Sequence, residues 1–171
     1  MHKEQQFSQE DLHDHRTVAL AARLRGPANV RPLEDKWLFS INLKHRMVTF
    51  PIGKCGPNEG LVDGLIREMY EELGVTIHTS DISENDYYCN FTNIYDFGGV
   101  PVRISTYVYM LACGPGICKT AINREPHKCG GLFLATFQEA SHMAKSLGLK
   151  LADCVIATYN KLKDEDTPAL A

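Results

Sequence analysis

One stretch constrains this chain more than any other: between Gly53 and Val75 it reads GKCGPNEGLVDGLIREMYEELGV. Asn58 has the chemistry of a helix N-cap, and from Gly60 to Leu73 only Gly64 interrupts a run of good helix formers. Gly74 then supplies the left-handed residue that commonly ends a helix. At about 100° per residue, Leu61, Val62, Leu65, Ile66, Met69 and Leu73 fall on one apolar arc, which must pack on another layer. Glu68, Glu71 and Glu72 fall on an adjoining arc, because spacings of three and four stack side chains on one face. Arg67 and Tyr70 are expected outside that acidic arc.

Carboxylates crowded on one helix face repel each other by a few tenths of a kcal/mol per exposed pair. Burial raises the cost until a proton is taken up. A hard divalent cation removes the conflict. Magnesium takes oxygen ligands and is usually shared between one or two carboxylates and the phosphates of a substrate. The cluster therefore reads as half a coordination shell, with a diphosphate as the other half.

The offsets of Gly53, Glu59, Arg67, Glu68, Glu71, Glu72 and Gly74 follow G-x5-E-x7-R-E-U-x-E-E-x-G-U, where U is bulky and aliphatic; Met69 and Val75 fill the two U positions. With each fixed letter at roughly 7%, a chance match in a chain of this length is about one in a million. The stretch resembles the Nudix box. The resemblance implies an α/β fold, the Nudix α/β/α sandwich with a mixed β-sheet. It also implies Mg2+- (or Mn2+-) dependent cleavage of a phosphoric anhydride in a nucleoside diphosphate-linked substrate. In that reading Glu68, Glu71 and Glu72 are the metal ligands, and Glu59 and Arg67 fix the loop and orient them. Gly53, Lys54 and Glu125 are the cofactor-binding candidates: Lys54 either faces a phosphate or merely holds the loop, Glu125 is an extra ligand or base, and the general base is Glu71, Glu68 or Glu125.

Downstream, Asn123-Arg124-Glu125-Pro126-His127-Lys128-Cys129 resembles a segment of the small MutT-like Nudix proteins that hydrolyse nucleoside triphosphates. This favours nucleoside triphosphates, damaged deoxynucleotides included, giving monophosphate and pyrophosphate. ADP-ribose or nucleotide sugars are the alternative, then dinucleoside polyphosphates and capped RNA, and finally a non-catalytic nucleotide or RNA sensor. Ile52, Gly56, Asn58, Gly130 and Gly131 depart from the family pattern. They touch loop shape, and none removes a box carboxylate.

At 171 residues, with 44% hydrophobic and 23% charged residues, the chain has the size and balance of one globular domain. Its net charge of -3 carries no basic stripe for long nucleic acid. No apolar run approaches 18 residues, and MHKEQQFSQEDLHDH lacks an apolar core for export, so a cytoplasmic location is expected. The six cysteines are then expected to be reduced. A zinc site from Cys113, Cys118, Cys129 and His127 has irregular spacing. Residues 1–15 read as a flexible segment, 16–164 as the Nudix domain and 165–171 as a solvated tail, in a monomer or homodimer.

Strands are expected at 17–24, 37–43, 47–50, 75–77, 87–95, 102–112 and 132–137, with helices at 60–73, 138–147 and 149–163. The strands at 87–95 and 102–112 form a hairpin around Asp96-Phe97-Gly98-Gly99. Sheet and hairpin should supply a base pocket, with Phe50, Tyr87, Phe91 and Tyr107 as stacking candidates. His45, His78, His127 and His142 read as ordinary surface or loop residues.

Overall fold

The run Val18-Ala19-Leu20-Ala21-Ala22 is apolar at every position because both faces of its strand are covered: all five residues are fully buried. Ala19 and Ala21 join one core, with Trp37, Phe39, Phe50 and Phe137. Val18, Leu20 and Ala22 join the other, with Leu38, Leu65 and Met69. The strand is the middle layer of a sandwich. The computed structural model describes residues 13–24, 30–113 and 120–166.

Among the described residues the strands are β1 (His13–Leu24), β2 (Lys36–Asn42), β3 (Met47–Thr49), β4 (Ile52–Lys54), β5 (Cys89–Asp96), β6 (Pro101–Cys113), β7 (Cys129–Ala135) and β8 (Lys150–Leu151). The helices are α1 (Leu61–Leu73), α2 (Phe137–Ser146) and α3 (Asp153–Asp166). The sheet runs β5-β6-β1-β2-β3-β8, with β4 also paired to β1 and β7 to β2. β1 is parallel to β6 along its whole length and antiparallel to β2 and β4, so the sheet is mixed. Helix α1 covers one face through Val62, Leu65, Met69 and Leu73. Helices α2 and α3 cover the other through Phe137, Ala140, Ala144, Val155 and Leu162. The expected α/β/α sandwich is what the chain forms.

Several boundaries differ from expectation. β1 begins at His13, four residues before Thr17, because its N-terminal end pairs with Val102–Ser105 of β6. The segment expected to be flexible is therefore strand from His13 to His15, and residues 1–12 lie outside the described residues. At the other end α3 continues to Asp166, into the expected tail, and 167–171 lie outside the described residues. Helix α1 is capped by Gly60, with no side-chain cap, and Asn58 plays no such part. Its far end closes as expected on Gly74 at φ 65°. Val75 and Ile77 are buried in the core on the α1 side but form no strand. Instead the unforeseen β4, Ile52–Lys54, pairs with β1 and carries the loop into α1. β7 starts at Cys129, earlier than Leu132, because Cys129 pairs with Asn42. Helix α2 has a full capping box, Thr136 with Glu139. No helix among the described residues is long and apolar enough to cross a membrane.

Leu65 anchors α1 and is fully buried. Leu65→Ala should lower the unfolding free energy by about 2–5 kcal/mol. Ile94→Ser, at a residue 53% exposed on the hairpin, should change it by less than about 0.5 kcal/mol. Urea titrations of both variants check the contrast.

Candidate active site

Two arginines build the loop between β4 and α1. Arg67 donates from Nε to Glu59 Oε1 at 2.8 Å and from Nη2 to Glu59 Oε2 at 2.9 Å, a two-pronged pair. The same Nη2 reaches the Lys54 carbonyl at 2.9 Å. Glu59 Oε2 also accepts from the Gly56 amide at 2.8 Å. From β1, Arg16 Nη2 donates to the carbonyls of Gly56 at 2.9 Å and Glu59 at 2.6 Å. Hydrogen bonds from Arg67 and Gly56 hold the Glu59 carboxyl down at about 2. Its bonds to Glu59 and Glu68 raise the Arg67 pKa in turn.

The acidic face is tied to this hub. Arg67 Nη1 donates to Glu68 Oε1 at 2.7 Å and to Glu71 Oε2 at 3.1 Å. Although its helical position lies outside the acidic arc, Arg67 bonds two of that arc's carboxylates. Its long side chain swings back across the helix face, which backbone angles alone do not reveal. Glu68 is packed under β4: a Cβ on Gly53 would stand 2.2 Å from the Glu68 carboxyl carbon. Glu71 is exposed and Glu72 half-buried. Burial, then the charges of Glu68 and Glu125, push the Glu72 carboxyl up to about 7, with Lys128 opposing.

The segment 122–129 closes the C-terminal end of α1. The Ile122 and Arg124 amides donate to the Leu73 and Glu72 carbonyls at 3.0 and 2.9 Å. Arg124 Nη1 donates to the Tyr70 carbonyl at 3.0 Å. Asn123 folds the turn by donating to the Cys129 carbonyl at 2.8 Å and accepting from the Glu125 amide at 3.2 Å. Glu125 lies beside Glu72, in a cleft of about 80 Å³, and is paired with Lys128 at 2.8 Å.

A larger pocket of about 520 Å³ opens next to the loop and includes Gly53 and Lys54 in its wall. Phe91, Tyr95, Phe97 and His45 line it, with Lys150 and Asp153 across from the hairpin. Tyr95 Oη and Asn93 Nδ2 both donate to Asp153 Oδ2, at 2.5 and 2.8 Å. Of the stacking candidates only Phe91 faces this pocket. Phe50 is fully buried in the core. Tyr87 and Tyr107 pack edge-on against each other at 5.2 Å, on the α1 side of the sheet. His45 is the exposed turn residue expected, and it also lines the pocket rim. Tyr95 was legible in principle, since β5 alternates in burial and places 91, 93 and 95 on one face. Arg16, Lys150 and Asp153 had no local signal.

The donors around α1 suit a hard divalent cation: all are carboxylate oxygens, and the half-buried Glu72 lies among the like charges of Glu68, Glu71 and Glu125, offset only in part by Lys128. As the side chains stand, no three acidic, His or Cys groups among the described residues converge on one point. Arg67 holds Glu68 and Glu71 in place. The side chain of Cys113, and Cys118 entirely, lie outside the described residues, so the zinc alternative falls there.

No protein-family model matches the chain, and no curated protein matches it. Solved structures do. An Ap4A hydrolase from C. elegans, in a binary complex, is 17% identical with a TM-score of 0.57, over 88% of this chain and 96% of that one. The ORF135 protein of E. coli is 18% identical with a TM-score of 0.57, over 95% and 99%. A MutT Nudix hydrolase from Burkholderia pseudomallei is 16% identical with a TM-score of 0.50, over 86% and 96%. The chain has the Nudix fold of these structures.

Two outcomes test the site. Gly53→Ala should force the Glu68 carboxylate off β4, visible as a displaced side chain in a crystal structure of the variant, with the fold retained. The Glu59 carboxyl is depressed from 4.5 to about 2, so its contribution to stability is complete above 4.5 and disappears as the pH falls toward 2. Arg67→Gln should remove that contribution. Its urea midpoint should lie below wild type at neutral pH, and the gap should narrow on acidification through this window.

Proposed function

We propose that the chain is a Nudix hydrolase that cleaves the phosphoric anhydride of a nucleoside diphosphate-linked substrate, with nucleoside triphosphates, damaged ones included, as the preferred class. The observation that carries this is the Arg67–Glu59 hub, which holds Glu68 and Glu71 on α1 beside the Lys54 loop, at the wall of the aromatic pocket. Glu68, Glu71 and Glu72 would hold the divalent cation. Bound there, magnesium supplies neutralisation of phosphate charge and acidification of water. The chain's own residues do the rest. Arg67 and Arg16 fix the loop, Lys54 faces the phosphates, and Phe91, Tyr95 and Phe97 stack on the base. Catalysis then rests on placement and charge, with no protein nucleophile. Glu125 remains a candidate base beside Glu72.

The aromatic pocket of about 520 Å³ next to the loop supports a substrate with one nucleoside. The C. elegans structure keeps dinucleoside polyphosphates as a second reading. The test is hydrolysis of a panel of triphosphates, ADP-ribose, nucleotide sugars and dinucleoside polyphosphates, with and without Mg2+ or Mn2+. Turnover should require the metal. Glu72→Gln should reduce kcat at least about 100-fold and remove the rise in melting temperature that Mg2+ gives wild type. Phe91→Ala should raise KM with kcat little changed. Nucleotide binding without turnover by any panel member would instead favour the sensor.

A further inference from the structure

Helix α1 lacks a cap of its own, since Gly60 has no side chain. Its first two amides are satisfied from far along the chain: Leu61 and Val62 donate to Glu84 Oε2 and Oε1, each at 3.0 Å. Glu84 lies in the irregular stretch between α1 and β5. Its own carbonyl accepts from Tyr109 Oη at 2.7 Å, and Tyr109 is 1% exposed on β6. A Cβ on Gly60 would stand 2.6 Å from Glu84 Oε1, so the glycine makes room for this carboxylate. A strut therefore runs from the sheet through Tyr109 and Glu84 to the positive end of α1, where a negative charge is favoured.

We infer that Glu84 is a positioning residue that sets where α1 lies against the sheet, and so where its carboxylates stand. This rests on the function proposed above. A local cap ties a helix only to its own leading loop, whereas Glu84 ties α1 to β6. The far end of α1 is held by 122–124, and there is little slack between. A Cβ on Gly53 would meet Glu68 at 2.2 Å and one on Gly64 would meet Cys55 Sγ at 2.6 Å. With the strut gone, α1 shifts, and Glu68 and Glu72 move relative to β4 and Glu125.

The experiment compares full-length wild type, Glu84→Gln, Glu84→Ala and the double variant Gly60→Ser/Glu84→Ala. Readouts are Mn2+ affinity by calorimetry without nucleotide, melting temperature, and kcat and KM. Glu84→Ala should weaken Mn2+ binding and kcat by about 10-fold or more and lower the melting temperature by about 2–4 °C. KM should stay nearly unchanged, and Glu84→Gln should fall between. The double variant regains a local cap, so its melting temperature should recover while Mn2+ affinity stays low. Recovery of both, or a loss confined to melting temperature, overturns the inference, because Glu84 is then only a cap. A wild type that binds no Mn2+ overturns the proposed function along with it.

Discussion

The site depends on one guanidinium. Arg67 serves Glu59, Glu68, Glu71 and the Lys54 carbonyl at once, with three nitrogens in a rigid plane. A lysine has one charged nitrogen and cannot make that set of directions. Through Glu59 the guanidinium shapes the loop, because the same carboxylate accepts from the Gly56 amide. Through Nη1 it keeps two like charges together on α1. The loop leading into the helix and the acidic face on it are thus one structure, and their spacing in sequence follows from the reach of Arg67.

That structure needs a fixed platform. The platform is β1, whose small residues Ala19 and Ala21 face the aromatic core while Val18 and Leu20 face α1. On one side β1 carries β4 and the loop, and Arg16 at its foot bonds the loop carbonyls. On the other side β6 runs parallel to it and brings the hairpin round. The pocket lies between β4 and that hairpin. Sheet order, not sequence proximity, sets the box next to Phe91 and Tyr95.

The half-buried Glu72 shows how the fold concentrates charge. Burial and the neighbouring Glu68 and Glu125 push it up to about 7, although Lys128 stands nearby. Folding alone does not reward that arrangement, since each carboxylate would be better hydrated apart. In the proposed function, a cation shared with a diphosphate would offset that crowding. Glu125 enters because 122–129 is stitched to the end of α1 by its amides, which explains why a segment some fifty residues downstream belongs to the same site.

The box was legible in the chain because helix periodicity is local: three carboxylates at spacings of three and four share a face whatever the rest does. The helix end at Gly74, the hairpin around Gly98 and the strand through 18–22 follow from equally short-range rules. The start of α1 did not follow, since its cap comes from Glu84 and Asn58 is idle. Neither did Arg16, Lys150 and Asp153, whose partners are brought to them only by strand pairing and helix packing. Local geometry is written in consecutive residues, whereas the contacts of a long side chain depend on which distant element the sheet sets beside it.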